Sequence, residues 1–163
     1  MLNPRKLLLV EDSEDDAFFL RLAFQKIGFT APLDHVLDGQ EAVDYISRTG
    51  KHAALIAAPP PRLVILDIKM PSLSGLEVLS FIRTQSQFPK LPVLIWTSSF
   101  LHRDHDRALA LGATHYVVKP LGHEGFGAVA RQIQEVWLAL QMKESATASA
   151  AGIRSAERPT SRS

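Results

Sequence analysis

Leu63-Val64-Ile65-Leu66-Asp67-Ile68-Lys69-Met70-Pro71 opens with four branched aliphatic residues and no polar interruption, then reaches a carboxylate, and ends on a proline. An apolar run of that length without alternation reads as a strand covered on both faces, as in a parallel sheet. Runs of the same kind lie at Lys6 to Glu11, Pro92 to Thr97 and His115 to Lys119, with a shorter, weaker one at Leu33 to Leu37. Between them the apolar residues recur at three and four. Ala17, Leu20, Phe24 and Ile27 do so, as do Leu76, Leu79 and Ile82, and later Phe126, Val129, Ile133, Val136 and Leu140; that is the spacing of one helix face.

Start and stop signals agree. Ser13 followed by Asp16 resembles a capping box, Glu14, Asp15 and Asp16 suit the positive end of a helix dipole, and Gly28 closes that helix. Asp38-Gly39 forms a turn before a helix from Gln40 to Arg48, and Gly112 ends one that begins near His102. The loop from Thr49 to Pro61 ends in three consecutive prolines, which exclude regular structure there. Strand and helix thus alternate five times over residues 5–141. With right-handed crossovers this predicts an α/β fold, a doubly wound five-stranded parallel sheet of flavodoxin-like strand order 2-1-3-4-5.

Composition bounds the function. With 163 residues, 46% of them hydrophobic and 21% charged, the chain has material for one core. The absence of cysteine excludes disulfides, thiol nucleophiles and cysteine-ligated metals. No apolar run approaches the roughly 20 residues of a membrane span, and no signal peptide is evident, so no membrane role and a cytoplasmic location are expected. Net charge is +1, and residues 143–163 hold four basic and two acidic residues, which leaves the preceding body at −1. Neither part has the basic field that nucleic-acid binding needs. The segment is mostly Ala, Ser, Thr and Arg without an apolar period, so residues 1–142 are expected to form the domain and 143–163 a disordered tail.

In a doubly wound sheet, ligands bind at the carboxyl ends of the strands near the switch point. Glu11-Asp12 end the first strand, Asp67 the third, Thr97 the fourth and Lys119-Pro120 the fifth. The first and third strands are neighbours in this topology, so three carboxylates converge. Their mutual repulsion calls for a hard cation, and Mg²⁺ suits a site of few carboxylates completed by water and phosphate oxygens. A carboxylate beside Mg²⁺ can itself accept a phosphoryl group, while a lysine and a hydroxyl neutralise the remaining oxygens.

Val10-Glu11-Asp12, Leu66-Asp67-Ile68-Lys69-Met70-Pro71 with Gly75 eight beyond the aspartate, Trp96-Thr97-Ser98, and Gly112-Ala113-Thr114-His115-Tyr116-Val117-Val118-Lys119-Pro120 together resemble the response-regulator receiver domain of two-component systems. The resemblance implies that Asp67 is the phosphoacceptor and that Asp12 ligates Mg²⁺ directly, Glu11 through water, with the Lys69 backbone carbonyl completing the protein ligands. It further implies that Thr97 and Tyr116 form a coupled switch pair, that Lys119 binds the phosphoryl group, and that the Lys119–Pro120 bond is cis. The partner it implies is a histidine kinase or phosphotransfer protein. The protein would be no enzyme toward free substrates and would signal by protein contact. Trp96 departs from the pattern, being bulky for a covered strand beside the switch threonine. The opening residues 9–16, the long loop before the third strand and Trp137-Leu138 are also similar to single-domain regulators that accompany phytochrome-type kinases, which would make a bacteriophytochrome the partner. The alternative is a phosphorylation-independent adaptor with a receiver fold.

Other motifs carry less. His102 and His105 share a helix face, but no third zinc ligand or zinc-hydrolase glutamate accompanies them. Trp137 and Leu138 widen the apolar stripe of the last helix beyond what one sheet face needs, which predicts a dimer or partner surface there.

Overall fold

Five short strands carry the molecule: β1 (Leu7–Val10), β2 (Leu33–Val36), β3 (Leu63–Leu66), β4 (Val93–Thr97) and β5 (His115–Val118). The computed structural model describes residues 4–156. All neighbours pair in parallel, in the order β2-β1-β3-β4-β5, with Leu7 opposite Leu63 and Val10 opposite Leu66 at the centre. This is the predicted order.

Side chains alternate across the sheet, so each central strand feeds two cores. Leu8, Val10, Val64, Leu66, Val93 and Ile95 pack against helices α2 (Gly39–Ser47) and α3 (Gly75–Thr84), and against Ala108 of α4 (His102–Ala110). Leu7, Leu9, Leu63, Ile65, Leu94 and Trp96 pack against α1 (Glu14–Lys26) and α5 (Phe126–Ala156). Burial on both faces is why β1, β3 and β4 read as unbroken apolar runs. β5 is an outer strand, with His115 and Val118 exposed.

The helices begin where side chains can satisfy their free amides. Ser13 accepts from the Asp16 amide, Asp38 from the Glu41 amide, and Ser74 with Glu77 forms a reciprocal capping box. α4 has no side-chain cap at Leu101. Gly28 and Gly112 have positive φ, as their stop signals require. The loop before β3 carries a 3-10 segment, Gly50–Ala57, ahead of its prolines.

Three expectations need correction. α5 does not end near Met142; it continues to Ala156, so residues 143–156 of the expected tail are helical. Ala-rich sequence is a strong helix former without any apolar period, and Glu144 ties this turn to the body through Arg5 and Arg62. Residues 157–163 of that tail lie outside the described residues. Trp137, expected on a docking surface, is instead 5% exposed: it packs edge-on to Phe29, and the Arg62 guanidinium lies 4.4 Å from its ring centroid. Leu138 beside it is exposed. Among the described residues every peptide bond is trans, Lys119–Pro120 included. Trans is the lower-energy form even before proline, by about 0.5–1 kcal/mol, and the Lys119 amide makes a 2.7 Å ladder bond to the Thr97 carbonyl alongside it. No helix among the described residues is long and apolar enough to cross a membrane.

Candidate functional site

The ladder delivers the site. The Glu11 amide donates to the Val36 carbonyl and the Asp67 amide to the Val10 carbonyl, so both residues continue their strands just past the last paired side chains. β1 and β3 are adjacent, and ligand oxygens of Glu11, Asp12 and Asp67 come to lie within 4.8 Å of one another. Glu11 is fully buried, Asp67 is 4% exposed, and Asp12 faces solvent.

Lys119 enters from the end of β5. Its ammonium reaches Glu11 Oε2 at 2.5 Å, Asp16 Oδ2 at 2.9 Å and Asp67 Oδ2 at 3.3 Å. Burial opposes that charge, but Asp67, Glu11 and Asp16 outweigh it and hold the lysine pKa above its ordinary value. Burial dominates at Glu11: with repulsion from Asp67 it raises the carboxyl to about 7, against the counteracting pull of Lys119 and the Ser13 amide. The other carboxylate oxygen of Asp67, Oδ1, accepts from the Lys69 amide at 3.3 Å. The Lys69 side chain is exposed.

Close behind Asp67, the chain doubles back. The Gly75 amide donates to the Ile68 carbonyl, and a Cβ at Gly75 would collide with the Asp67 carbonyl oxygen. Glycine at that spacing lets the loop after β3 fold onto its own strand end.

Thr97 and Tyr116 are joined through Ser99, which is 1% exposed. The Ser99 amide donates to Thr97 Oγ1 at 3.3 Å, the Tyr116 hydroxyl donates to the Ser99 carbonyl at 2.9 Å, and Ser99 Oγ donates to Asp104 Oδ2 at 2.5 Å. The Tyr116 ring meets His105 of α4 edge-on, 5.0 Å between centroids. Burial, with Asp104 and Asp67, raises the Tyr116 pKa above the ordinary value of 10.0, against the lowering effect of the Ser99 bond. The phenol therefore remains a donor at neutral pH.

The sequence expectations converge here: Glu11, Asp12, Asp67, Thr97 and Lys119 share one sheet edge, and Tyr116 lies beside them. Three residues went unread in the roles they take here. Asp16 was explained by its place at a helix start, and nothing in the acidic run from Glu11 to Asp16 shows that Asp16 joins Glu11 in turning toward Lys119. Ser99 and Asp104 carry a local signal, a hydroxyl shortly before a helix with an acid in its first turn, but sequence does not show that Ser99 bridges Thr97 and Tyr116 or that Asp104 accepts from the Ser99 hydroxyl.

A family model, the response regulator receiver domain, matches residues 7–130. The chain belongs to that family, the receiver domain of two-component systems. It is 34% identical over 137 residues to the "Probable methanogenesis regulatory protein FilR2" of Methanothrix harundinacea, covering 83% of this chain and 85% of that protein. It is 30% identical over 139 residues to response regulator Rcp1 of Synechocystis, covering 83% and 90%. Rcp1 in its Mn²⁺-bound crystal structure superposes with a TM-score of 0.74 at 26% identity, over 83% of this chain and 95% of that one. The phosphorylated cyanobacterial phytochrome response regulator RcpA gives a TM-score of 0.75 at 27% identity over the same shares.

Proposed function

We propose that the chain is a response regulator that accepts a phosphoryl group on Asp67 from a histidine kinase or phosphotransfer protein and passes the signal on by protein contact. The observation that carries this is the meeting of a nearly buried carboxylate, two further acids and a lysine ammonium at one strand edge.

The donor set fits a divalent cation. The three carboxylates offer hard oxygens within 4.8 Å of one another, close enough for a small rotation of side chains to gather them on one ion, and Asp12 faces solvent, where water can complete the coordination. Glu11, Asp12 and Asp67, with the Lys69 carbonyl, would hold Mg²⁺. Bound there, the ion supplies charge neutralisation for the transferring group.

An Asp67 carboxylate oxygen attacks the phosphorus of a phosphoimidazole; the new P–O bond forms as the P–N bond breaks, and the bonding pair leaves on the imidazole nitrogen. Lys119 exchanges a carboxylate partner for a phosphoryl oxygen. The Thr97 hydroxyl, which accepts from the Ser99 amide, keeps its proton to donate to another. Drawing Thr97 toward Asp67 loosens the Ser99 link that holds the Tyr116 hydroxyl. Phosphorylation shifts the population between two arrangements only by as much as it favours the second. The protein modifies its own side chain and turns over no free substrate. We place it in the cytoplasm. Its likeness to Rcp1 and to a phytochrome response regulator carries the finer proposal that a phytochrome-type kinase is the donor.

Intact-protein mass spectrometry after exposure to acetyl phosphate with Mg²⁺ tests the reading. One phosphoryl increment is expected on the wild type and none on Asp67→Asn or after chelation of the metal; label persisting on Asp67→Asn would overturn it. A second reading, a phosphorylation-independent adaptor, draws on Lys119, which already neutralises the acidic cluster. An adaptor need not bind Mg²⁺, so a metal titration separates the two.

A further inference from the structure

We propose that Trp96 is a positioning residue for Lys119: its indole ring carries the ammonium that would bind the phosphoryl group. The inference rests on the phosphoacceptor reading of Asp67 and adds a residue to it.

Trp96 is fully buried in β4, one residue before Thr97, on the sheet face covered by α1 and α5. The Lys119 ammonium lies over its ring, 4.7 Å from the centroid, inside the range of cation–π attraction. The lysine side chain is only 8% exposed, so little water competes with the ring. The ammonium is thus bounded by three carboxylates and an aromatic ring.

A second observation concerns the other end of the indole. Trp96 Nε1 is buried and has no hydrogen-bond partner among the described residues. An unpaired buried donor is a cost that leucine or phenylalanine would avoid while filling the same core. Filling space does not explain an indole here; the electron-rich ring beneath a cation does. The ring is also braced. Phe126 meets it edge-on at 5.3 Å, His123 meets Phe126 edge-on, and His123 stacks on Phe19 at 3.7 Å, so α1 and α5 fix its plane through a chain of rings.

The arrangement suits a lysine that must change partners. Hydrogen bonds to Glu11 and Asp16 have to be released as the ammonium turns to a phosphoryl oxygen. Attraction to a ring face is less directional and persists through that turn. A flexible four-carbon stem lying on a fixed ring has fewer ways to miss its target.

Trp96→Phe keeps a smaller ring, and Trp96→Leu keeps apolar bulk without one; Trp96→Met replaces the latter should it fail to fold, as judged by its urea transition. The first readout is the NMR shift of the Lys119 ε-protons in protein labelled with ¹³C-lysine. Shielding by the ring is expected in the wild type, reduced in Trp96→Phe and absent in Trp96→Leu. The second is the initial rate of acetyl phosphate labelling at saturating Mg²⁺, which should fall about thirtyfold in Trp96→Leu, the size of one desolvated cation–π contact, and less than about threefold in Trp96→Phe. Ordinary Lys119 shifts in the wild type, or wild-type labelling rates in Trp96→Leu, overturn the inference. Ring shielding in a wild type that takes no label would instead overturn the phosphoacceptor reading, and with it any catalytic role for the contact.

Discussion

Gly75 and Asp16 show what single residues contribute around Asp67. At Gly75 the obstacle to a side chain is main chain, the Asp67 carbonyl, which cannot swing aside as a flexible side chain would. Gly75→Ala should therefore lower stability by about 1–3 kcal/mol, the usual cost of overpacking, read as a reduced urea midpoint; an unchanged midpoint would show that the loop relaxes freely. Asp16 holds one of three bonds to Lys119. With Asp16→Ala the ammonium is expected to rest on Glu11 and Asp67 alone, so Mg²⁺ must compete harder for those oxygens and its affinity should drop by severalfold in a fluorescence titration. Equal or tighter Mg²⁺ binding would mean that Asp16 does not share the lysine's charge.

At the scale of elements, α2 offers a pH test away from the site. Burial works against the charge of Glu41, but the Lys51 ammonium at 2.5 Å, the Leu37 amide at 3.1 Å and His52 outweigh it and hold the carboxyl below its ordinary 4.5. A depressed folded pKa gives stabilisation that is present above the unfolded value and lost as pH falls through the folded one. The stability gap between wild type and Glu41→Gln should thus be constant near neutrality and narrow below about pH 4.5; a gap that ignores acidification would contradict the assignment. The elements also show what the sequence could reveal. β1, β3 and β4 were legible because two-sided burial forbids polar residues along them, and α1 and α2 because Ser13 and Asp38 announce their first turns. The sheet order followed from the alternation, and the order placed Glu11, Asp67, Thr97 and Lys119 on one edge. Pairwise closure was not legible: which of six clustered residues meets Lys119, or that Ser99 joins Thr97 to Tyr116, depends on loop paths that residue types do not encode. Trp137 misled for a related reason. An aromatic residue on a helix can cover either a partner or its own core, and Arg62 and Phe29 decide for the core only in three dimensions.

For the whole molecule, the extended α5 is the feature that composition concealed. Truncation after Met142 should remove helical ellipticity in proportion to residues 143–156; unchanged ellipticity per molecule in the far ultraviolet would restore the coil reading. Glu144 reaches both Arg5, near the amino terminus, and Arg62, just before β3. These pairs are about a third exposed on the glutamate side, so Glu144→Gln should cost no more than about 1 kcal/mol and the loss should shrink in high salt. Beyond its energy, that carboxylate draws the first and last parts of the described chain to a common point. Fraying that reaches Glu144 from the helix end, or Arg5 from the amino end, breaks the same contact, so a proteolytic cut that removes either residue should modestly hasten trimming at the other end.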